Sequence, residues 1–468
     1  MLSIPSTFIV LDIVVIFIFG IFVSSAKQDT FFPNNSIVCF VGDSITQKGD
    51  FHNNILQYYI SRHAHKIIKF CNCGISGETV EDGLSRLLED VMIHRPTHAV
   101  IMFGMNDMRK DYNKSMSTRE IDIKTDLSNY AKHLEKMIIF LRSQSVAIIL
   151  ETPSIYDQTA VTSNPNMIGR NDILGRVAET VEMLGQKYTL KVVDYYSVMN
   201  RLNALVQKVL PSDSIIEPDR IHPSPVGHLI MTYTFLLTIE QPSQLGRIIL
   251  HSDLEKSATA SSNCVVSSVE YRHHNTEVEA IVRANALPFV IVEDQRPALR
   301  LVAFNRDFNT LRLCVYNLSA SVSNYSLTID QFHIGHFTAT SLESGIDLAH
   351  AKRSPLYVQA GKVKRVLTQM WKLQENERWV KFVERCCMKQ YFVQENKNVV
   401  DIVSASAYLE KLYETEHPGN SYMKHSFDTY IKYQPLIGEL EAQIGTLISL
   451  ARELAVPRDA KIIIRPIH

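Results

Sequence analysis

Between Ile37 and about Ile239, short apolar runs alternate with longer amphipathic stretches. The runs Ile37-Val41, Ile67-Cys71, Ala99-Phe103, Val146-Leu150 and Lys191-Val193 read as strands. Most of them show no polar alternation, which is the pattern of strands covered on both faces, as in a parallel sheet. The segments between them, Asn53-Arg62, Val80-Glu89, Asp122-Ser143, Asp172-Lys187 and Tyr196-Val209, carry helical patterning, and Pro225-Thr238 closes the unit. Strands joined by crossover helices predict a three-layer α/β/α domain with a five-stranded parallel sheet over residues 34–240.

Past Gln241 the pattern changes. Residues 241–268, with a Ser-rich stretch at Ser252-Ser268, read as a linker. Leu287-Val292, Leu299-Phe304, Leu311-Tyr316 and Tyr325-Ile329 are β-like, separated by polar turns and with no helical pattern between them. They predict a small antiparallel β module over residues 269–350. Residues 351–468 predict a helical tail, with amphipathic helices at Tyr357-Cys387 and Tyr430-Leu454 and a terminal strand at Lys461-Ile464.

The N-terminus carries an apolar run, Ile13 to Val23, followed by Ser24-Ser25-Ala26 and polar Lys27-Gln28-Asp29. An apolar core before small residues predicts a signal peptide over residues 1–26, cleaved after Ala26. No Lys or Arg precedes the run and Asp12 interrupts it, so an uncleaved anchor from Ile4 to Val23 is the alternative. Either reading places the body of the protein outside the cytosol, secreted or held at a membrane by the N-terminal segment alone.

Composition narrows the choice of partners. With 46% apolar and 21% charged residues in 468, the chain is globular and long enough for two or three domains. A formal net charge of -1 and the lack of a long basic run exclude nucleic acid as an expected partner. Seven cysteines form no disulfide framework, and Cys39, Cys71 and Cys73 fall in or beside apolar runs, where they read as small buried hydrophobes. Cys386 and Cys387 have no companion ligands nearby, and His63 and His65 sit at a solvated helix end, so no metal and no cofactor is expected.

Four short clusters carry the candidate chemistry: Gly42-Asp43-Ser44, Asn72-Cys73-Gly74-Ile75-Ser76-Gly77-Glu78-Thr79, Gly104-Met105-Asn106-Asp107 and Asp219-Arg220-Ile221-His222. Ser44 follows the first strand through a Gly-Asp turn, at the carboxyl end of the sheet, where doubly wound folds bind ligands. Gly77 follows the second strand and Asn106 the third. Their backbone N–H and side-chain amide, with the N–H of Ser44, would form a three-donor oxyanion hole. Asp219 and His222 lie between Pro218 and Pro223, on a turn able to present imidazole with a carboxylate behind it. Each cluster alone is a weak signal. Together they supply every role a serine hydrolase needs.

In order and separation the clusters resemble blocks I, II, III and V of the SGNH (GDSL) hydrolase family over about residues 36 to 238. The resemblance implies a flavodoxin-like SGNH hydrolase fold. It implies Ser44 as nucleophile, Asp219 and His222 completing the triad, and Ser44, Gly77 and Asn106 as the oxyanion hole. The implied reaction is hydrolysis of a carboxylic ester through an acyl-serine intermediate, without a cofactor. By analogy the expected substrate is a small-molecule or carbohydrate ester with a short acyl group, acetyl foremost. A lipase, lysophospholipase or thioesterase acting on longer chains is the alternative. A non-catalytic glycan- or surface-binding protein is a second one.

Overall fold

A computed structural model describes residues 30–108, 116–395 and 401–467. The expected signal peptide or anchor, residues 1–26, lies outside them. The sheet expected from the sequence is present: β1 (Ser36–Gly42), β2 (Ile68–Gly74), β3 (His98–Met102), β4 (Ala147–Glu151) and β5 (Lys191–Val193) pair in the order β2-β1-β3-β4-β5, all parallel. From β1 the chain moves to one side for β2 and then to the other for β3. The carboxyl end of β1 is therefore the switch point of the sheet, where a crevice opens.

Strand alternation sorts the two faces. Val38, Phe40, Val100 and Met102 lie in one buried cluster with residues of the helices α2 (Asp50–Arg62), α6 (Tyr195–Val209) and α7 (Pro225–Ile239). Cys39, Val41, Ala99 and Ile101 lie in another, with α3 (Val80–Ser85), α4 (Met116–Ser143) and α5 (Arg170–Tyr188). A short helix, α1 (Ser44–Lys48), leads directly from β1. The helix expected over Val80-Glu89 ends at Ser85, and a wide turn, Leu87–Val91, follows it and carries Asp90.

The second half departs from expectation in three ways. The segment read as a linker, 241–268, is β6 (Gly246–Leu250), α8 (Leu254–Ala260) and the start of β7 (Cys264–Arg272). Its serines serve as local hydrogen-bond partners: buried Ser257 Oγ accepts from His251 N at 2.8 Å, and Ser261 Oγ accepts from Ile249 N at 3.0 Å. Of the four β-like runs, Leu287-Val292 and Leu299-Phe304 are not strands. Pro288 lacks the N–H a ladder needs, and the second run begins inside a short 3-10 helix, Glu293–Arg300, that contains Pro297. The backbone of Phe289 bonds instead to the side chain of Asn309, at 2.8 and 2.9 Å. The run Tyr430-Leu454 spans the end of one helix, Ser421–Tyr433, and the whole of another, Ile437–Leu454, interrupted at Gln434–Leu436, which contains Pro435.

The remaining elements are β8 (Glu277–Ala284), α9 (Phe304–Phe308), β9 (Leu311–Val315), β10 (Tyr325–Ile329), β11 (Phe332–Phe337), α10 (Ala339–Ser344), β12 (Ile346–Asp347), α11 (Pro355–Cys386), α12 (Lys389–Glu395), α13 (Ile402–Glu416), α14 (Ser421–Tyr433), α15 (Ile437–Leu454) and β13 (Ala460–Pro466). The expected β module and helical tail interlock. In the antiparallel sheet β11-β10-β13-β8-β7 the last strand, β13, lies between β10 and β8, while β12-β9-β6 is a separate small sheet. One buried cluster runs from Phe40 and Phe51 through Phe304 and Phe308 to Ile462, so no hydrophobic boundary separates the halves near residue 240. From Phe31 onward the described chain forms one compact unit.

Candidate active site

Gly42 and Gly74 are partners in register at the carboxyl ends of β1 and β2. A Cβ on Gly74 would lie 2.2 Å from Gln47 N and 2.7 Å from Gln47 Cα, so α1 fits against the end of β2 only because position 74 has no side chain. Asp43 caps α1, accepting from Ile45 N at 3.0 Å. Burial pushes its carboxyl up to about 6, against the lowering effects of the cap bond and of nearby His222. Ser44 is thus the first residue of a helix seated at the switch point of the sheet.

The Asp219–His222 turn lies opposite. His222 Nε2 is 2.8 Å from Ser44 Oγ, and His222 Nδ1 is 2.5 Å from Asp219 Oδ2. The other carboxylate oxygen of Asp219 accepts from Ile221 N and His222 N, both at 2.9 Å. Partial burial would raise the Asp219 carboxyl, but these bonds and the imidazole beside it hold it down at about 2. The turn closes on itself through Glu217 N to His222 O at 2.7 Å. Arg220, left-handed at φ 69°, turns inward and donates to the carbonyls of Asp157, Ala160, Thr162 and Asn164, at 2.9–3.3 Å. The loop after β4 and the Asp219–His222 turn therefore hold each other in place.

On the other side of Ser44, the loop after β2 is fixed to β1 by Ile75 N to Gly42 O at 3.0 Å, and to α1 by Ser76 N to Gln47 Oε1 at 2.6 Å. Gly77 adopts φ +77°, a conformation that disfavours any side chain, and an added Cβ there would meet nothing within 4 Å. Asn106 Nδ2 donates to Glu78 O at 3.1 Å, which uses one of its two N–H groups. Asp107 accepts from Val80 N at 2.8 Å at the start of α3, and burial raises its carboxyl to about 7. The structure therefore joins Ser44, His222 and Asp219 by direct hydrogen bonds, and ties the loops of Gly77 and Asn106 to each other and to the base of α1.

The charged groups behind this loop carry no signal in the sequence. Fully buried Arg86 donates to Glu78 Oε2 at 2.6 Å, Asp90 Oδ2 at 2.6 Å and Cys73 O at 2.8 Å. Arg378, from α11, binds both oxygens of Asp90 at 2.8 and 2.7 Å. Burial alone would raise Asp90, but the two guanidiniums hold it well below the usual carboxylate range. A basic residue in a helical run carries no local mark of such a role. Among the described residues, no group of three or more His, Cys, Asp or Glu could hold a metal ion.

The profile of the GDSL-like lipase/acylhydrolase family matches residues 38–235. Over 172 residues, 37% of this chain and 72% of the relative, the sequence is 28% identical to an acetylxylan esterase of Geobacillus stearothermophilus. The solved structure of a gut microbial diltiazem-metabolizing enzyme superposes with a TM-score of 0.83 at 25% identity, covering 94% of this chain and 99% of that one. That superposition includes the C-terminal half.

Proposed function

Because residues 38–235 belong to the GDSL-like lipase/acylhydrolase family, we propose that this ester hydrolase attacks its substrate with Ser44, using His222 as base and Asp219 as its orienting carboxylate. The carrying observation is the continuous chain from Ser44 Oγ through His222 Nε2 and Nδ1 to Asp219 Oδ2, at 2.8 and 2.5 Å. As Ser44 Oγ bonds to the ester carbonyl carbon, its proton passes to Nε2. The ionised Asp219 holds the tautomer in which Nε2 is free to accept it and stabilises the imidazolium that forms. Negative charge gathers on the carbonyl oxygen, where Ser44 N–H, Gly77 N–H and the second Asn106 N–H donate to it. Collapse expels the alcohol, protonated by His222, and leaves acyl-Ser44. Water, deprotonated by the same imidazole, releases the acid and restores the serine.

For substrate, the reading is a short acyl group, acetyl foremost, on carbohydrate, with action outside the cytosol. The supports are the likeness to an acetylxylan esterase and the apolar run before Ala26. The experiment is a comparison of acetyl, octanoyl and palmitoyl esters on the purified protein beside Ser44→Ala, with fluorophosphonate labelling of both. Labelling of the parent alone, with acetyl preferred, is expected. A clear preference for long chains would sink the acetyl reading, and equal labelling of both proteins would remove Ser44 as nucleophile.

A further inference from the structure

Glu78 stands between two of the proposed oxyanion donors. It follows Gly77 in the chain, and its carbonyl oxygen holds Asn106 Nδ2 at 3.1 Å. Its side chain is only 5% exposed and is held from both sides: Oε2 accepts from Arg86 Nε at 2.6 Å, and Oε1 from Arg385 Nε at 3.0 Å. Arg86 belongs to the same stretch of chain. Arg385 comes from the last turn of α11, 307 residues away, and its Nη2 also donates to Ser85 Oγ at 3.0 Å.

The grip of the C-terminal helices extends along the loop. Two turns before Arg385, Arg378 Nε donates to Gly74 O at 3.0 Å. From α14, Tyr422 OH donates to Ser76 Oγ at 2.8 Å. Positions 74, 76 and 78 are thus each bonded to the C-terminal helices, and position 77, between them, lies open. The geometry points to Glu78 and Arg385 as positioning residues for the oxyanion hole, through which α11 sets the placement of the Gly77 and Asn106 donors. The inference rests on the roles proposed above for Gly77 and Asn106. Charge-assisted bonds in a water-poor site are strong enough to hold a loop against the field of a developing oxyanion.

The test uses the full-length protein, p-nitrophenyl acetate and the variants Arg385→Ala, Arg385→Lys, Glu78→Gln and the double Glu78→Gln/Arg385→Ala. Arg385 is 20% exposed at the edge of the network, so its variants retain the fold, which a melting curve verifies. Loosening donors costs less than deleting one, so Arg385→Ala should lower kcat about ten- to a hundredfold with KM within about twofold. Fluorophosphonate labelling should slow in parallel. Arg385→Lys should recover most of the loss, and Arg385→Ala should add nothing in the Glu78→Gln background. An unchanged kcat in Arg385→Ala, a change in KM alone, or independent losses that multiply in the double variant would overturn the inference. A parent protein inert to both ester and fluorophosphonate would instead remove the serine-hydrolase reading and this inference with it.

Discussion

Substituting Gly74 by Ala tests whether the seating of α1 on β2 sets the position of the nucleophile. The added Cβ would lie 2.2 Å from Gln47 N and 2.6 Å from Thr46 C, both backbone atoms that no rotamer change can move aside. Reaching ordinary contact requires α1 to shift by about 1 Å away from the strand end. Ser44 opens that helix and lies 2.8 Å from His222 Nε2, while His222 is fixed independently by the Asp219 and Arg220 bonds. The helix therefore moves without its base, and the hydrogen bond lengthens beyond useful reach. A misplacement of this size costs about 10²-fold in rate, and overpacking costs about 1–3 kcal/mol in stability. The assay is kcat and KM on p-nitrophenyl acetate with melting curves, alongside Gly445→Ala in α15, where an added Cβ meets nothing within 4 Å. Gly74→Ala should lose mainly kcat and the control should lose nothing. Wild-type kcat in Gly74→Ala would refute the claim that the glycine at the end of β2 positions Ser44.

Two further outcomes follow from the bonding of individual carboxylates. Asp219→Asn retains an oxygen able to accept from Ile221 N and His222 N, so melting should change little, while the loss of the correct imidazole tautomer should lower kcat about 10⁴-fold. A kcat within about tenfold of the parent would contradict the role given to Asp219. Glu151, on β4, is buried and accepts from Tyr195 OH at 2.7 Å; burial, only partly offset by that bond, raises its carboxyl to about 8. Its unfolded value is about 4.3, so its contribution to stability is fully present below that pH and is lost as pH rises through about 8. Glu151→Gln removes the titration, and its melting temperature relative to the parent should rise between pH 5 and pH 8.5. A constant difference across that range would show that Glu151 does not titrate with folding.

The parts legible in the sequence were those whose cause is local. Each of the five strands of the central sheet is an apolar run bounded by polar chain, and each chemical cluster sits within a few residues of a strand end or a helix start, where only certain residue types can serve. Ser44 and the Asp219–His222 pair, which the fold brings into hydrogen-bonding contact, stood out because the proposed chemistry restricts the choice of residue types. Glu78 stood in view beside Gly77, but its ion pair is with Arg385, and nothing in the run from Tyr357 to Cys387 distinguishes Arg378 and Arg385 from solvated basic residues. The same cause lies behind the misreadings after residue 240. Leu287-Val292 has strand composition, yet Pro288 and the side chain of Asn309 give its backbone other partners, and the serines of 252–268 look like linker until their hydrogen bonds are traced.

The boundary expected near residue 240 fails for a physical reason. The antiparallel sheet is completed by β13, the last strand of the chain, so the segment expected as a β module lacks its central strand until the end of the sequence is in place. Between those parts runs α11, about 48 Å long by its 32 residues. Its first half is buried with the core that also covers one face of the parallel sheet, and its second half brings Arg378 and Arg385 to Asp90 and Glu78. Without α11, both carboxylates would stay in place with Arg86 as their shared guanidinium partner, and a buried anion that loses a partner is costly. The loop that carries Gly77 is thus bonded to side chains supplied some 300 residues later, so on the roles proposed for Gly77 and Asn106 the C-terminal helices support the site as much as the strand that ends at Gly42 does.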